Sequence, residues 1–74
     1  MNIRDLQDGI IIAARDTQRL TGSKKGLDIS IDDLWFLNPA YSEEDIILAL
    51  KDMGDIETVD AESGIVHIPE HYLM

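Results

Sequence analysis

Apolar and small residues near the start of the chain recur at spacings of three and four: Ile3, Leu6, Ile10, Ala13, Ala14, Thr17 and Leu20. That period places them on one buried stripe of an amphipathic helix. Asn2 stands where an N-cap is needed, Arg15 and Arg19 complement the helix dipole in the last turns, and Gly22 supplies a stop. A first helix is therefore predicted within residues 1 to 22, ending near residue 20. Ile11 and Ile12 lie off the stripe, and either fill a core that wraps around the helix or form a contact surface. The segment T21-G-S-K-K-G26 reads as a loop, and the alternation in L27-D-I29 predicts one short strand. Ser30 and Ser42 each stand three residues before an aspartate, Asp33 and Asp45, in the manner of a helix N-cap. They predict helices over residues 30 to 38, ended by Pro39, and 42 to 54, closed by Gly54. The third helix turns Ile46, Ala49, Leu50 and Met53 inward and Glu44, Asp45, Leu48, Lys51 and Asp52 outward. Ile56 to Asp60 and Ile65 to Ile68 flank D-A-E-S-G, a short glycine-containing connection, and predict a hairpin over residues 55 to 69. Residues 70 to 74 remain as a tail with no core of their own.

This order predicts one α+β domain: three helices, a short strand and a C-terminal β-hairpin. Carried by the strand at Leu27 to Ile29, the stretch S30-I-D-D-L-W-F-L-N-P-A-Y-S42 and the helix plus hairpin that follow, it resembles the winged helix-turn-helix family over residues 2 to 69. The resemblance rests on element order and spacing, and implies DNA binding. It puts the third helix in the major groove and the hairpin tip, Ala61, Glu62, Ser63 and Gly64, near phosphates.

Charge changes that picture. The chain of 74 residues carries a formal net charge of -9. Residues 1 to 25 hold five basic groups against three acids, while residues 26 to 74 hold Lys51 alone against twelve acids. The third helix therefore presents mostly carboxylates where base readout uses Arg, Lys, Asn or Gln, and the hairpin tip carries no cation. Like charges facing phosphates oppose the attraction that supplies non-specific affinity. A hydrophobic content of 45% predicts folding. With no cysteine there is no disulfide, thiol catalyst or cysteine-based zinc site. No apolar run is longer than Ile10 to Ala14, which is far too short to span a bilayer, and no secretory signal is recognisable. A cytoplasmic location follows as the expectation.

Candidate chemistry is sparse. H67-I-P-E-H71 matches a zinc-peptidase spacing, but Pro69 keeps both histidines off one helical face, so no metal or cofactor is expected. No glycine-rich phosphate loop follows a strand, and the acid pairs Asp32-Asp33 and Glu43-Glu44 point to different helix faces. An enzyme is not expected. Arg15, Arg19, Lys24 and Lys25 form the one cationic cluster, a helix end and solvated loop or a phosphate contact. Of Trp35 and Phe36, adjacent on the second helix, one is expected in the core and the other partly exposed beside Leu48.

Two functional readings lead, with a purely structural or assembly subunit as a third. In the first, a small acidic regulator or inhibitor binds a basic surface of a nucleic-acid-handling protein. Glu43, Glu44, Asp45, Asp52 and Asp55 supply charge, Leu48 an apolar anchor, and Trp35 or Phe36 an aromatic one. Small inhibitors of viral or mobile-element origin act in this way, as DNA mimics, and the analogy would place the protein in a host cytoplasm. In the second, a DNA-binding regulator dimerises through Ile11 and Ile12 and touches phosphates with Arg15, Arg19, Lys24 and Lys25.

Overall fold

A computed structural model of the chain describes residues 2 to 22 and 25 to 74. Helix α1, Ile3–Thr21, begins at Asn2, whose side chain accepts from the Arg4 and Asp5 amides, and ends at Gly22 with φ 71°. Strand β1, Leu27–Ser30, runs directly into helix α2, Ile31–Leu37, where the Asp33 amide donates to Ser30 Oγ at 3.0 Å. Helix α3, Glu43–Met53, starts in a reciprocal cap. The Asp45 amide donates to Ser42 Oγ at 3.1 Å, and the Ser42 amide donates to Asp45 Oδ2 at 3.3 Å. Strands β2, Glu57–Asp60, and β3, Ile65–Ile68, form the hairpin, and a 3-10 turn over Glu70–Tyr72 follows.

The result is an α+β domain with an antiparallel sheet in the order β1-β3-β2. β3 sits centrally because β1 pairs with it in the register Leu27↔Ile68 and Ile29↔Val66. Those four side chains form the core face of the sheet. β2 is exposed at every position, so it contributes backbone pairing rather than burial. Its pairing slips between Thr58 and Asp60, a bulge at Val59 that breaks the regularity of an edge strand. The likeness to a winged helix is approximate.

The core joins Leu6, Ile10 and Ala14 of α1, Leu34 of α2, and Ile46, Ala49 and Leu50 of α3 to the sheet. No charged or polar residue is buried among the described residues.

Three expectations need correction. Leu20 is 89% exposed rather than part of the buried stripe. Nineteen residues make a helix of roughly 28 Å, almost the 31 Å long axis of the molecule, so the last turn of α1 runs past the core. Neither Trp35 nor Phe36 enters the core: a two-turn helix offers one central inward position, taken by Leu34, and its next neighbours rotate away by about 100° and 200°. The tail is docked: Leu73 is buried, and Tyr72 packs against the core.

Candidate functional site

The surface around α2 is fixed by contacts at both ends of that short helix. At its start the Ile31 amide donates to the Gly64 carbonyl at 2.8 Å, tying α2 to the hairpin turn. At its end Asn38 Nδ2 donates to the Leu34 carbonyl at 2.9 Å and the Asn38 amide to the Trp35 carbonyl at 3.0 Å. Gly9 of α1 leaves room for the Asn38 carboxamide, which a Cβ at that position would meet. The close approach of α1 to the end of α2 thus depends on a residue without a side chain.

Held there, α2 turns Asp32, Trp35 and Phe36 outward. With Pro39 they line an open, mainly apolar cleft of about 740 Å³. Phe36 is 81% exposed and Trp35 43%. Leu37 and Asn38, between Phe36 and Pro39 in the chain, line a second groove of about 200 Å³ with Gly9, Ile12, Ala13 and Asp16 of α1. Among the described residues, each recess is lined by one carboxylate and by no cation. Ile12, exposed, belongs to the second groove, while Ile11 is half-buried.

The acidic residues expected to meet a partner divide into two groups. Glu43 and Glu44 are exposed at the start of α3, and neither has a side-chain hydrogen bond or ion pair among the described residues. The others are engaged within the fold. Asp45 caps its own helix, and Asp52 Oδ2 accepts from Gln7 Nε2 at 3.0 Å. Asp55 accepts from the Tyr72 hydroxyl at 2.6 Å and lies 3.0 Å from His71 Nε2. Leu48 is exposed and is not among the residues that line the aromatic cleft.

The cationic cluster is also divided. Arg15 Nε donates to the Tyr72 carbonyl at 2.9 Å and Nη2 to the Met74 main-chain oxygen at 3.2 Å, so this guanidinium holds the tail. Arg19 lies 4.0 Å from Asp16 in an exposed pair. Lys25 is exposed, and Lys24 lies outside the described residues. The histidines of the zinc-like spacing face different carboxylates: His67 Nδ1 is 2.7 Å from Asp28, while His71 faces Asp55. The Asp55 contact also pushes the Tyr72 phenol up to about 12, first by hydrogen bonding, then by burial and the carboxylate charge.

Sequence reasoning missed Leu37 and Pro39 as surface-forming residues, and it treated Asp32 only as one of a pair of acids. The signal for Asp32 was present, because residues three and four apart share a helix face, which sets it with Trp35 and Phe36. Pro39 was read only as a helix terminator. In comparisons with known protein families, characterised proteins and solved structures, nothing matches this chain.

Proposed function

We propose that the protein is a small, non-enzymatic interaction module of winged-helix-like build that binds a basic partner protein. The α2 cleft is its anchor, and the free carboxylates of α3 supply attraction. The observation that carries this reading is the exposure of Trp35 and Phe36 in a recess whose one charged lining residue, among the described residues, is an aspartate. Interface cores favour aromatic side chains, and complementary charge around them steers encounter. Glu43 and Glu44 remain free to contribute, and the net charge of -9 favours a cationic partner. A protein that handles nucleic acid has such a surface, and occupying it would inhibit that partner.

Direct DNA binding has weaker support. Arg15 is engaged with the tail, the hairpin tip Ala61 to Gly64 has no cation, and Asp60 Oδ1 accepts from the Glu62 and Ser63 amides there. Lys51 is the one basic residue of α3.

The test is affinity capture from the native host with the wild-type chain, Phe36→Glu and the double change Glu43→Lys with Glu44→Lys. The captured protein is then purified and titrated against all three. The expected result is a basic protein whose affinity falls with added salt and drops at least tenfold for Phe36→Glu. Affinity unchanged by either variant would refute the reading, and duplex DNA retarded by wild type and Phe36→Glu alike would replace it.

A further inference from the structure

We infer that the cleft formed by Asp32, Trp35, Phe36 and Pro39 is a receptor for an arginine side chain of the partner. This rests on the reading above and specifies what the cleft takes.

Asp32 precedes Trp35 by three residues and Phe36 by four, so on α2 its carboxylate sits one turn from both rings on a shared face. All three line the same recess, and the Asp32 carboxylate has no hydrogen bond or ion pair among the described residues. A ligand filling the recess must satisfy two unlike demands: it must cover aromatic faces, and it must not leave a carboxylate desolvated without a partner. A purely apolar anchor meets the first and fails the second, because an unpaired charge taken out of water is costly. The base of a nucleotide could stack, but its phosphates would meet Asp32 and the acidic excess of the chain.

A guanidinium meets both demands. It is planar and weakly hydrated, stacks on aromatic faces and presents paired donors that match a carboxylate. Its methylene stem can lie along Phe36 or the Pro39 ring, as long charged side chains cover apolar surface while keeping the head polar. A lysine ammonium supplies the charge but neither the planar stack nor the fork.

The test uses a defined probe, the capped tripeptide leucine-arginine-leucine, with lysine, citrulline and norleucine versions as controls. Each is titrated into the isotopically labelled full chain and followed by the Trp35 indole N–H resonance and the amides of α2. The expected result is saturable binding on the order of millimolar for the arginine peptide, weaker for lysine, and at least tenfold weaker for citrulline and norleucine, a factor of ten being about 1.4 kcal/mol. Asp32→Asn and Trp35→Ala should each reproduce that loss with an unchanged circular-dichroism spectrum, since both side chains are exposed. No saturable shift with the arginine peptide, or equal binding of the norleucine peptide, would overturn the assignment. If the norleucine peptide binds equally and Phe36→Glu still abolishes capture, the arginine receptor is wrong and the general reading stands. If the arginine peptide binds selectively and capture is insensitive to Phe36→Glu, the receptor stands and the general reading fails.

Discussion

Replacing Gly26 by alanine should cost far more stability than the same change at Gly22, although both glycines have positive φ, 98° and 71°. Beyond α1, a Cβ on Gly22 would meet no described residue within 4 Å. Only left-handed backbone strain is then added, about 1 kcal/mol. A Cβ on Gly26 would stand 2.7 Å from the Ile68 carbonyl oxygen and 2.8 Å from His67 Nε2. Ile68 lies opposite Leu27 in the β1–β3 register, so its carbonyl cannot retreat without disturbing the strand pair. His67 could swing away only by giving up its 2.7 Å contact with Asp28. Backbone strain of roughly 1–3 kcal/mol and overpacking of roughly 1–3 kcal/mol give a loss of about 2–6 kcal/mol. Domains of this size hold roughly 4–11 kcal/mol in all. With a urea slope of about 1 kcal/mol per molar, Gly26→Ala should lower the unfolding midpoint by about 2 M or more, and Gly22→Ala by about 1 M. Far-UV circular dichroism reads both. Adding His67→Ala to Gly26→Ala should recover only the part due to the imidazole and leave the clash with the carbonyl. Equal midpoints for Gly26→Ala and Gly22→Ala would refute the claim that strand pairing closes tightly over Gly26.

Arg15→Ala removes both hydrogen bonds to the tail. It should cost about 1 kcal/mol and speed hydrogen exchange of the Leu73 amide, which donates to the Glu70 carbonyl at 2.8 Å; unchanged exchange there would show that Arg15 does not hold the tail. The Tyr72 phenol is raised from 10.0 to about 12 in the folded chain, so its stabilising effect is fully present below pH 10 and is lost as pH rises toward 12. Melting temperature should therefore fall more steeply over that window in wild type than in Tyr72→Phe, and parallel curves would disprove the coupling to Asp55. Ser42→Ala removes the acceptor for the Asp45 amide and should lower stability by about 1 kcal/mol in thermal unfolding.

What the sequence made legible was local. Asn2, Ser30, Ser42, Gly22 and Gly54 mark helix ends through bonds to residues two to four positions away, and the Leu6, Ile10 and Ala14 stripe follows from helical period. The sheet order was not legible, because pairing β1 with β3 joins residues some forty positions apart. Nor was the docking of the tail, where Arg15 meets Tyr72 across 57 positions and Asp55 meets Tyr72 across 17. Charge counting on the linear chain treats Arg15 and Asp55 as free surface groups. In the fold both belong to the latch that covers Leu73. Trp35 and Phe36 were misjudged for a related reason: hydrophobicity alone favours burial, but the length of α2 limits how many of its side chains can reach the core.

That internal use of charge narrows where a partner can bind. Asp45, Asp52 and Asp55 each serve a cap or a tertiary contact, and recruiting them to an interface would disrupt an existing bond. Asp28 likewise faces His67, and Asp60 holds the hairpin turn. Glu43 and Glu44 are free, but exposed carboxylates alone give long-range attraction that salt screens over about 8 to 10 Å, with little geometric selectivity. The α2 cleft differs in kind, since it combines a carboxylate with two rings that the fold leaves in water. If binding energy concentrates on buried aromatic anchors, changes at Phe36 should dominate affinity at high salt. Changes at Glu43 and Glu44 should then matter chiefly to association rate at low salt. Stopped-flow measurements on the captured partner would separate the two, and a charge reversal on α3 that acted mainly through dissociation would place the anchor on α3 instead.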